Sequence, residues 1–354
     1  MSGLEPPFGG HDPGGMAARI DGIPEQIEAA LASVAAAPWR LPPLTPSLLG
    51  MGAMGGSAIA GDLAAALYAD RLPRPLLVVR DVRWPAWLDR DGLALLCSYS
   101  GHTAETLALY DEAGRRGAPR VAMTVGGTLA ERCGRDGVPW LALPGGSPPR
   151  AALFSSWVPL TALLHALGWC EDPVPAWREA AAAVRALRDR AGTAVPERDN
   201  PIKQLARAIA GRPIFAYAGS GVMAPVATRL RQQLNENAKL LGHSAVVPEL
   251  DHNEIVGWER PGAFHRGLTV LLLADPEDAP EVARRLELTG AYAGRQGADV
   301  RPIEAASGGR LARMAAAIAW ADYLSLYLAL VTGVDPTPIP SIDEFKRRLA
   351  ASGA

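Results

Sequence analysis

The chain has 354 residues, 49% of them hydrophobic, with 35 Lys and Arg against 37 Asp and Glu and a formal net charge of -2. That length suits two domains of moderate size, and the balanced charge argues against nucleic acid or an anionic membrane as a default partner. Three cysteines, Cys97, Cys133 and Cys170, without metal-site spacing point to a reducing compartment and no disulfide framework, so a cytoplasmic protein is expected.

Residues 1–16, MSGLEPPFGGHDPGGM, lack the charged and apolar regions of a signal peptide, and their Gly and Pro content predicts a disordered tail. GIPEQIEAALASVAAA then has helical periodicity, and WRLPPLTPS reads as a Pro-rich turn. LLGMGA predicts a short buried strand, SAIAGDLAAALYAD a helix, and PLLVVRD and LALLCSYS two more strands. AETLALYDEAGRRG reads as a helix closed by Gly117, and RVAMTV as a further strand. The long helix AWREAAAAVRALRDRAG ends in a polar, Pro-containing linker at residues 193–202.

The pattern then restarts. PIFAYAGSG predicts a strand and glycine turn, VMAPVATRLRQQLNENAKLLG a helix, LTVLLLAD a strand, EVARRLELTGAYAGRQG a helix and ADVRPIE a strand. The apolar helix RMAAAIAWADYLSLYLALVTG and the amphipathic helix SIDEFKRRLAA follow, and no apolar run is read as long enough to span a bilayer. Short apolar strands alternating with helices predict an α/β fold of two doubly wound domains, each a parallel sheet flanked by helices. The first would cover residues 17–192 and the second 203–354.

The halves look like weak repeats of one unit. FAYAGSG matches LLGMGAMGGS, and LTVLLLADPEDAPEVARRL matches LALLCSYSGHTAETLALYDEA. They differ in one loop: the first half has the hydroxyls of SYSGHT where the second has Asp275, Glu277 and Asp278. Those carboxylates would repel a phosphate, so only the first half is expected to bind an anion.

Gly50, Gly52 and Gly55 match G-x-G-x-x-G, a spacing that cradles a dinucleotide pyrophosphate. On that reading Asp81 would hold the ribose, but Arg80 and the nearby Trp-Pro pair disturb the strand end, and the second hydroxyl loop would have no task. A single phosphate monoester uses both loops. Gly56 and Ser57 would lie at the mouth of one helix, with Ser98, Ser100 and Thr103 on the next strand-to-helix turn. Turn capping is the structural use of the same serines.

Arg231 to Trp258 is the densest polar stretch of the second half. Glu236 is expected inside a helix between Asn235 and Asn237, poor helix formers that are odd on a mere solvated face. His252 lies between Glu249 and Glu254, acids able to raise its pKa and orient its ring, although a lone histidine is often structural. Arg150 stands in PGGSPPRAAL, a loop that would equally suit a surface arginine. A carboxylate, a histidine and an arginine beside a phosphate pocket suit proton transfer on a sugar phosphate. No cysteine–histidine cluster is present, so neither metal nor cofactor is expected.

Together, GMGAMGGSAIAGD, SYSGHTAET, PPRAAL, QLNENAK, PELDHNEIVGW and DPTPIPSIDEFKRRL resemble the bifunctional phosphoglucose/phosphomannose isomerase family. The likeness runs from GIPEQIEAAL to the last helix. It implies two sugar-isomerase (SIS) domains of the phosphoglucose isomerase superfamily and a metal-independent aldose–ketose isomerisation through a cis-enediol. It also implies a homodimer with a shared site. By the same resemblance, Ser57, Ser98, Ser100 and Thr103 match the phosphate-binding hydroxyls, and Glu236 the base that moves a proton between C2 and C1. His252 matches a ring-opening histidine from the neighbouring subunit, Lys346 a lysine at the ring oxygen, and Arg150 the arginine that steadies the enediolate. Departures are His102 and Asp251, where asparagines are usual, and SPPR, which lacks the common glutamine; they bear on substrate preference. A non-catalytic sugar-phosphate sensor and an isomerase or epimerase of an aminosugar phosphate are the alternatives.

Overall fold

A computed structural model describes residues 3–351. In chain order the first half contains α1 (Met16–Asp21), α2 (Ile23–Ala36), β1 (Leu49–Ala53), α3 (Gly55–Leu67), β2 (Leu76–Val79) and β3 (Leu93–Cys97). It continues with α4 (Ala104–Arg115), β4 (Arg120–Thr124), α5 (Gly127–Asp136), β5 (Trp140–Ala142), α6 (Leu153–Ala166) and α7 (Val174–Ala191). Its strands are all parallel in the order β2-β1-β3-β4-β5. β1 and β3 are buried along their whole length because helices cover both faces, hence their near-continuous apolar sequences.

The second half holds α8 (Pro201–Ile209), β6 (Ile214–Gly219), α9 (Met223–Glu236), β7 (His243–Val247), α10 (Ala263–Gly267) and β8 (Thr269–Leu273). Then come α11 (Pro280–Arg295), β9 (Asp299–Ile303), α12 (Arg310–Val331) and α13 (Pro340–Ala351). Its parallel sheet runs β7-β6-β8-β9, so β6, β7, β8 and β9 occupy the places of β1, β2, β3 and β4. The repeat read in the sequence is therefore a repeat of topology. In each sheet the winding reverses between the two central strands, which opens a crevice at their carboxyl ends.

Three expectations need correction. The N-terminal stretch is packed over its described part: Leu4 and Phe8 are buried, and the Glu5 carboxylate lies 3.4 Å from Nζ of buried Lys203. Its glycines and prolines serve turns instead, and Asp12 caps α1 by accepting from the Met16 and Ala17 amides at 2.7 and 2.9 Å. Second, α12 is long and apolar enough to cross a membrane, but 83% of its apolar window is buried within the protein. It is the core helix that α7, α8 and α9 surround, and a helix apolar all round is one that is covered all round. Third, α9 stops at Glu236 rather than running on to residue 242.

The halves are joined along α7 and α12 and by charges. Arg313 holds Asp275 through two bonds of 2.9 Å, and Arg310 bridges Glu277 to Asp70 beyond the end of α3 at 2.7 and 2.8 Å. The ADPED loop is thereby turned to structure. Asp278 accepts from the Asp275 amide at 2.9 Å, and its carboxylate sits 2.7 Å from where a Cβ on Gly219 would stand. The turn after β6, equivalent to the turn after β1, is filled by the protein's own anion.

Candidate active site

The glycine run after β1 divides into two uses. Gly50 and Gly52 lie inside the strand, where a Cβ would stand 2.9 Å from the Trp84 ring and 2.8 Å from Leu109. Their smallness admits the indole, and they form no dinucleotide turn. Asp81, the candidate ribose partner, is exposed and accepts from the Val82 amide at 2.6 Å. The turn proper begins at Gly55, whose φ of +49° is in the left-handed region glycine tolerates.

Ser57 is buried in the first turn of α3, and its Oγ accepts from the Tyr99 amide at 3.3 Å, tying the two hydroxyl loops together. Ser98 Oγ lies 2.8 Å from Thr103 Oγ1 and accepts from the Gly101 amide at 3.1 Å; Ser100 accepts from the His102 amide at 3.3 Å. Neither α3 nor α4 has a side-chain cap at its start. Both helices start at the carboxyl ends of adjacent strands β1 and β3, the arrangement that favours an oxyanion. His102 turns away, with Nδ1 3.1 Å from Thr128 Oγ1 and its ring against Gly127.

Arg150 is no surface arginine. It is 3% exposed, on a 3-10 turn (Pro149–Ala151) that enters α6. Its Nε donates to Asn237 Oδ1 at 2.9 Å, and its Nη2 to the carbonyls of Pro336 and Thr337 at 2.7 and 2.6 Å. Nη1 faces Glu236, with 3.6 Å to Oε2. Burial pulls the guanidinium pKa below its ordinary value, and the Glu236 charge opposes that shift. Glu236 is the last residue of α9, so its carboxylate leaves the helix end beside Arg150 rather than a helix face.

The two ends of the site meet at Gly56. A Cβ there would stand 3.0 Å from the Pro149 carbonyl oxygen, so the mouth of α3 lies directly against the arginine turn. The structure thus brings together the glycine–serine turn, Arg150 and Glu236.

Beneath them lies a polar layer that sequence reading missed. Arg229 Nη2 donates to the Arg150 carbonyl at 2.5 Å and to both Asp322 oxygens at 3.2 Å. Gln233 also donates to Asp322, at 2.8 Å, and Asn237 Nδ2 donates to Ser325 Oγ at 3.0 Å. The available signal was Asp322, a lone carboxylate in the apolar run AIAWADYLSLYLAL, since an unpaired charge there would be costly. Asn237 reads as odd in the sequence; it links Arg150 to α12.

His252 and Lys346 are not drawn in. His252 is exposed on a 3-10 turn (Glu249–His252) after edge strand β7, and Lys346 is exposed on α13. Among the described residues no hydrogen bond or ion pair joins either to Arg150 or Glu236. The acids expected to orient His252 are engaged elsewhere. Glu249 accepts from Asn253 Nδ2 at 2.7 Å, and Glu254 accepts from the Tyr217 hydroxyl at 2.6 Å while lying 2.9 Å from His243 Nε2. Asp251 pins the same loop to α11 by accepting from Thr289 Oγ1 at 2.8 Å and Arg285 Nη1 at 3.3 Å.

Residues 198–349 match the model of the bacterial phospho-glucose isomerase C-terminal SIS domain. The chain is 37% identical over 297 residues to the bifunctional phosphoglucose/phosphomannose isomerase of Caldicellulosiruptor bescii, covering 84% of this chain and 88% of that protein. The protein of the same name from Aquifex aeolicus is 31% identical over 301 residues, again 84% and 88% of the two chains. Among solved structures, a hypothetical protein from Thermus thermophilus shares the fold with a TM-score of 0.72 at 15% identity, over 96% of this chain and 91% of its own. With its two parallel SIS-type units and these relatives, the chain belongs to the bifunctional phosphoglucose/phosphomannose isomerase family.

Proposed function

We propose that the protein is an aldose–ketose isomerase that interconverts glucose 6-phosphate, and also mannose 6-phosphate, with fructose 6-phosphate through a cis-enediol. The observation that carries this reading is the 3.6 Å approach of Arg150 to Glu236 beside the glycine–serine turn. Ser57, Ser98, Ser100 and Thr103, with the open N-termini of α3 and α4, grip the 6-phosphate; that remote binding energy positions C1 and C2. Glu236 takes a proton from one carbon and returns it to the other, work that contributes about 10²–10⁴-fold. The free edge of Arg150 stabilises the enediolate oxygen in a site where burial makes a cation effective. Mannose 6-phosphate differs from glucose 6-phosphate only at C2, the carbon that becomes planar, so one shuttle serves both. A sensor protein would have no use for a carboxylate held against a buried arginine.

The division of labour follows the halves: residues 17–192 bind phosphate, and 203–354 supply Glu236, His252 and Lys346, with 193–202 joining them. His252 and Lys346 act at the ring oxygen in a homodimer whose sites are shared. Two features support this. Neither side chain has a hydrogen-bond or ion-pair partner among the described residues. In addition, α13 exposes Ile342, Phe345 and Leu349, spaced along one helical face, with Phe345 70% exposed. Three free cysteines, all with burial-raised pKa values, suit action in the cytoplasm. Coupled assays with fructose 6-phosphate and mannose 6-phosphate test the reading: turnover of both is expected, and inactivity on both would overturn it.

A further inference from the structure

Lys239 has no role in the scheme above. It lies three residues beyond Glu236, with its backbone at φ +54°, a conformation that a residue bearing a Cβ rarely holds. Its Nζ donates to the Glu236 carbonyl at 2.6 Å and to the Pro336 carbonyl at 3.3 Å. The first bond satisfies an acceptor left open where α9 stops and sets a cation at that helix end. The second shares an oxygen with Arg150, whose Nη2 lies 2.7 Å away. Residues 336–337, which lead from α12 to α13, therefore form a strap across the end of α9. Two cations hold it, and both flank Glu236.

We propose that Lys239 is a positioning residue of the isomerase site, which fastens the 336–337 strap to the end of α9 and so fixes the Glu236 carboxylate and the one free edge of Arg150. The proposal rests on the isomerase reading. Arg150 shows why the strap matters: with Nε on Asn237 and Nη2 on the strap, only Nη1 remains for the reaction. A loosened strap frees the guanidinium to turn. The strap also sets the departure of α13, and with it the reach of Lys346.

The charged groups around Nζ are Arg150, Asp335 and Glu236; the side chain as a whole is exposed, but partial burial of its tip and Arg150 lower its pKa, and the two acids oppose this. Deprotonation therefore begins below the usual lysine range and weakens both bonds. The wild-type rate is expected to fall on the basic side earlier than an ordinary lysine would dictate.

The test compares Lys239→Met and Lys239→Arg with wild type, by fructose 6-phosphate kinetics across pH and by amide hydrogen exchange of residues 332–345. Misplaced reacting groups lower kcat more than they change KM, so Lys239→Met is expected to lose about tenfold or more in kcat with KM within about threefold. Exchange in the strap should rise. Lys239→Arg should recover most of the rate and protection and move the basic limb to higher pH. Wild-type kcat in Lys239→Met, or a lowered kcat with unchanged strap exchange, overturns the proposal. An inactive wild type would instead sink the isomerase reading, and the exchange comparison would still report on the strap.

Discussion

Arg150 and Glu236, 86 residues apart in sequence and in different halves of the fold, meet with Nη1 3.6 Å from Oε2. The guanidinium is held on its other edges by Asn237, Pro336 and Thr337, so its orientation is fixed before any substrate arrives. Preorganised charge of this kind stabilises a developing oxyanion without reorganisation at the moment of reaction.

Arg150→Lys should accordingly behave much like Arg150→Ala. A lysine cannot bond the strap, Asn237 and the substrate together, because it lacks the planar fork. Both variants are expected to lose about 10²–10³ in kcat, as does removal of a single oxyanion donor elsewhere. Steady-state kinetics check this, and a lysine variant within a few-fold of wild type would contradict it.

Gly56→Ala tests the junction between the two ends of the site. The added methyl would stand 3.0 Å from the Pro149 oxygen, so the arginine turn must move. A fall in kcat/KM is expected with little change in melting temperature. Gly134→Ala, in the open on α5, is the control: nothing lies within 4 Å of its Cβ, and an Ala there should be neutral or mildly stabilising.

Asp322→Ala should cost stability rather than chemistry alone. It would strand buried Arg229, which is 1% exposed and has Asp322 as its only ion-pair partner among the described residues. Removing one member of a buried pair typically costs about 3–5 kcal/mol. Urea unfolding is the measurement, and a midpoint equal to wild type would contradict the role given to this layer.

Complementation tests the proposal that the site is shared between two subunits. Glu236→Gln and His252→Ala should each be inactive alone. Mixed, dissociated and reassociated, they should regain activity, because one site of the mixed dimer then holds both native residues. No recovery, together with mixed dimers demonstrated by mass, would place His252 and Glu236 within one chain.

The architecture was legible in the sequence because both sheets bury their central strands. LLGMGA, LALLC and LTVLLL are uninterrupted apolar runs, and each is followed by a glycine or polar turn and a helix. What escaped notice had no such contrast. A helix is expected after the Arg150 loop, but the extent of α6, LFSSWVPLTALLHA, was not readable, because it is buried on nearly every side and shows no polar face to mark its period; β7 is a half-exposed edge strand. The GGS and SYSGHT segments were readable as strand-to-helix turns, and the helix that carries Glu236 from its periodicity. The burial of Arg150 was not readable, since it depends on Pro336 and Thr337, almost two hundred residues away. Gly50 and Gly52 imitate a dinucleotide fingerprint, because a strand that admits a tryptophan ring needs the same residue as a phosphate turn.

The most direct test of the scheme is deuterium incorporation from D2O into fructose 6-phosphate, followed by NMR for wild type and Glu236→Gln. Wild type should label the carbon that exchanges its proton, while Glu236→Gln should lose about 10²–10⁴ in the exchange rate and still bind the sugar phosphate with near-native affinity. Undiminished exchange in Glu236→Gln would contradict the assignment of this carboxylate as the proton shuttle.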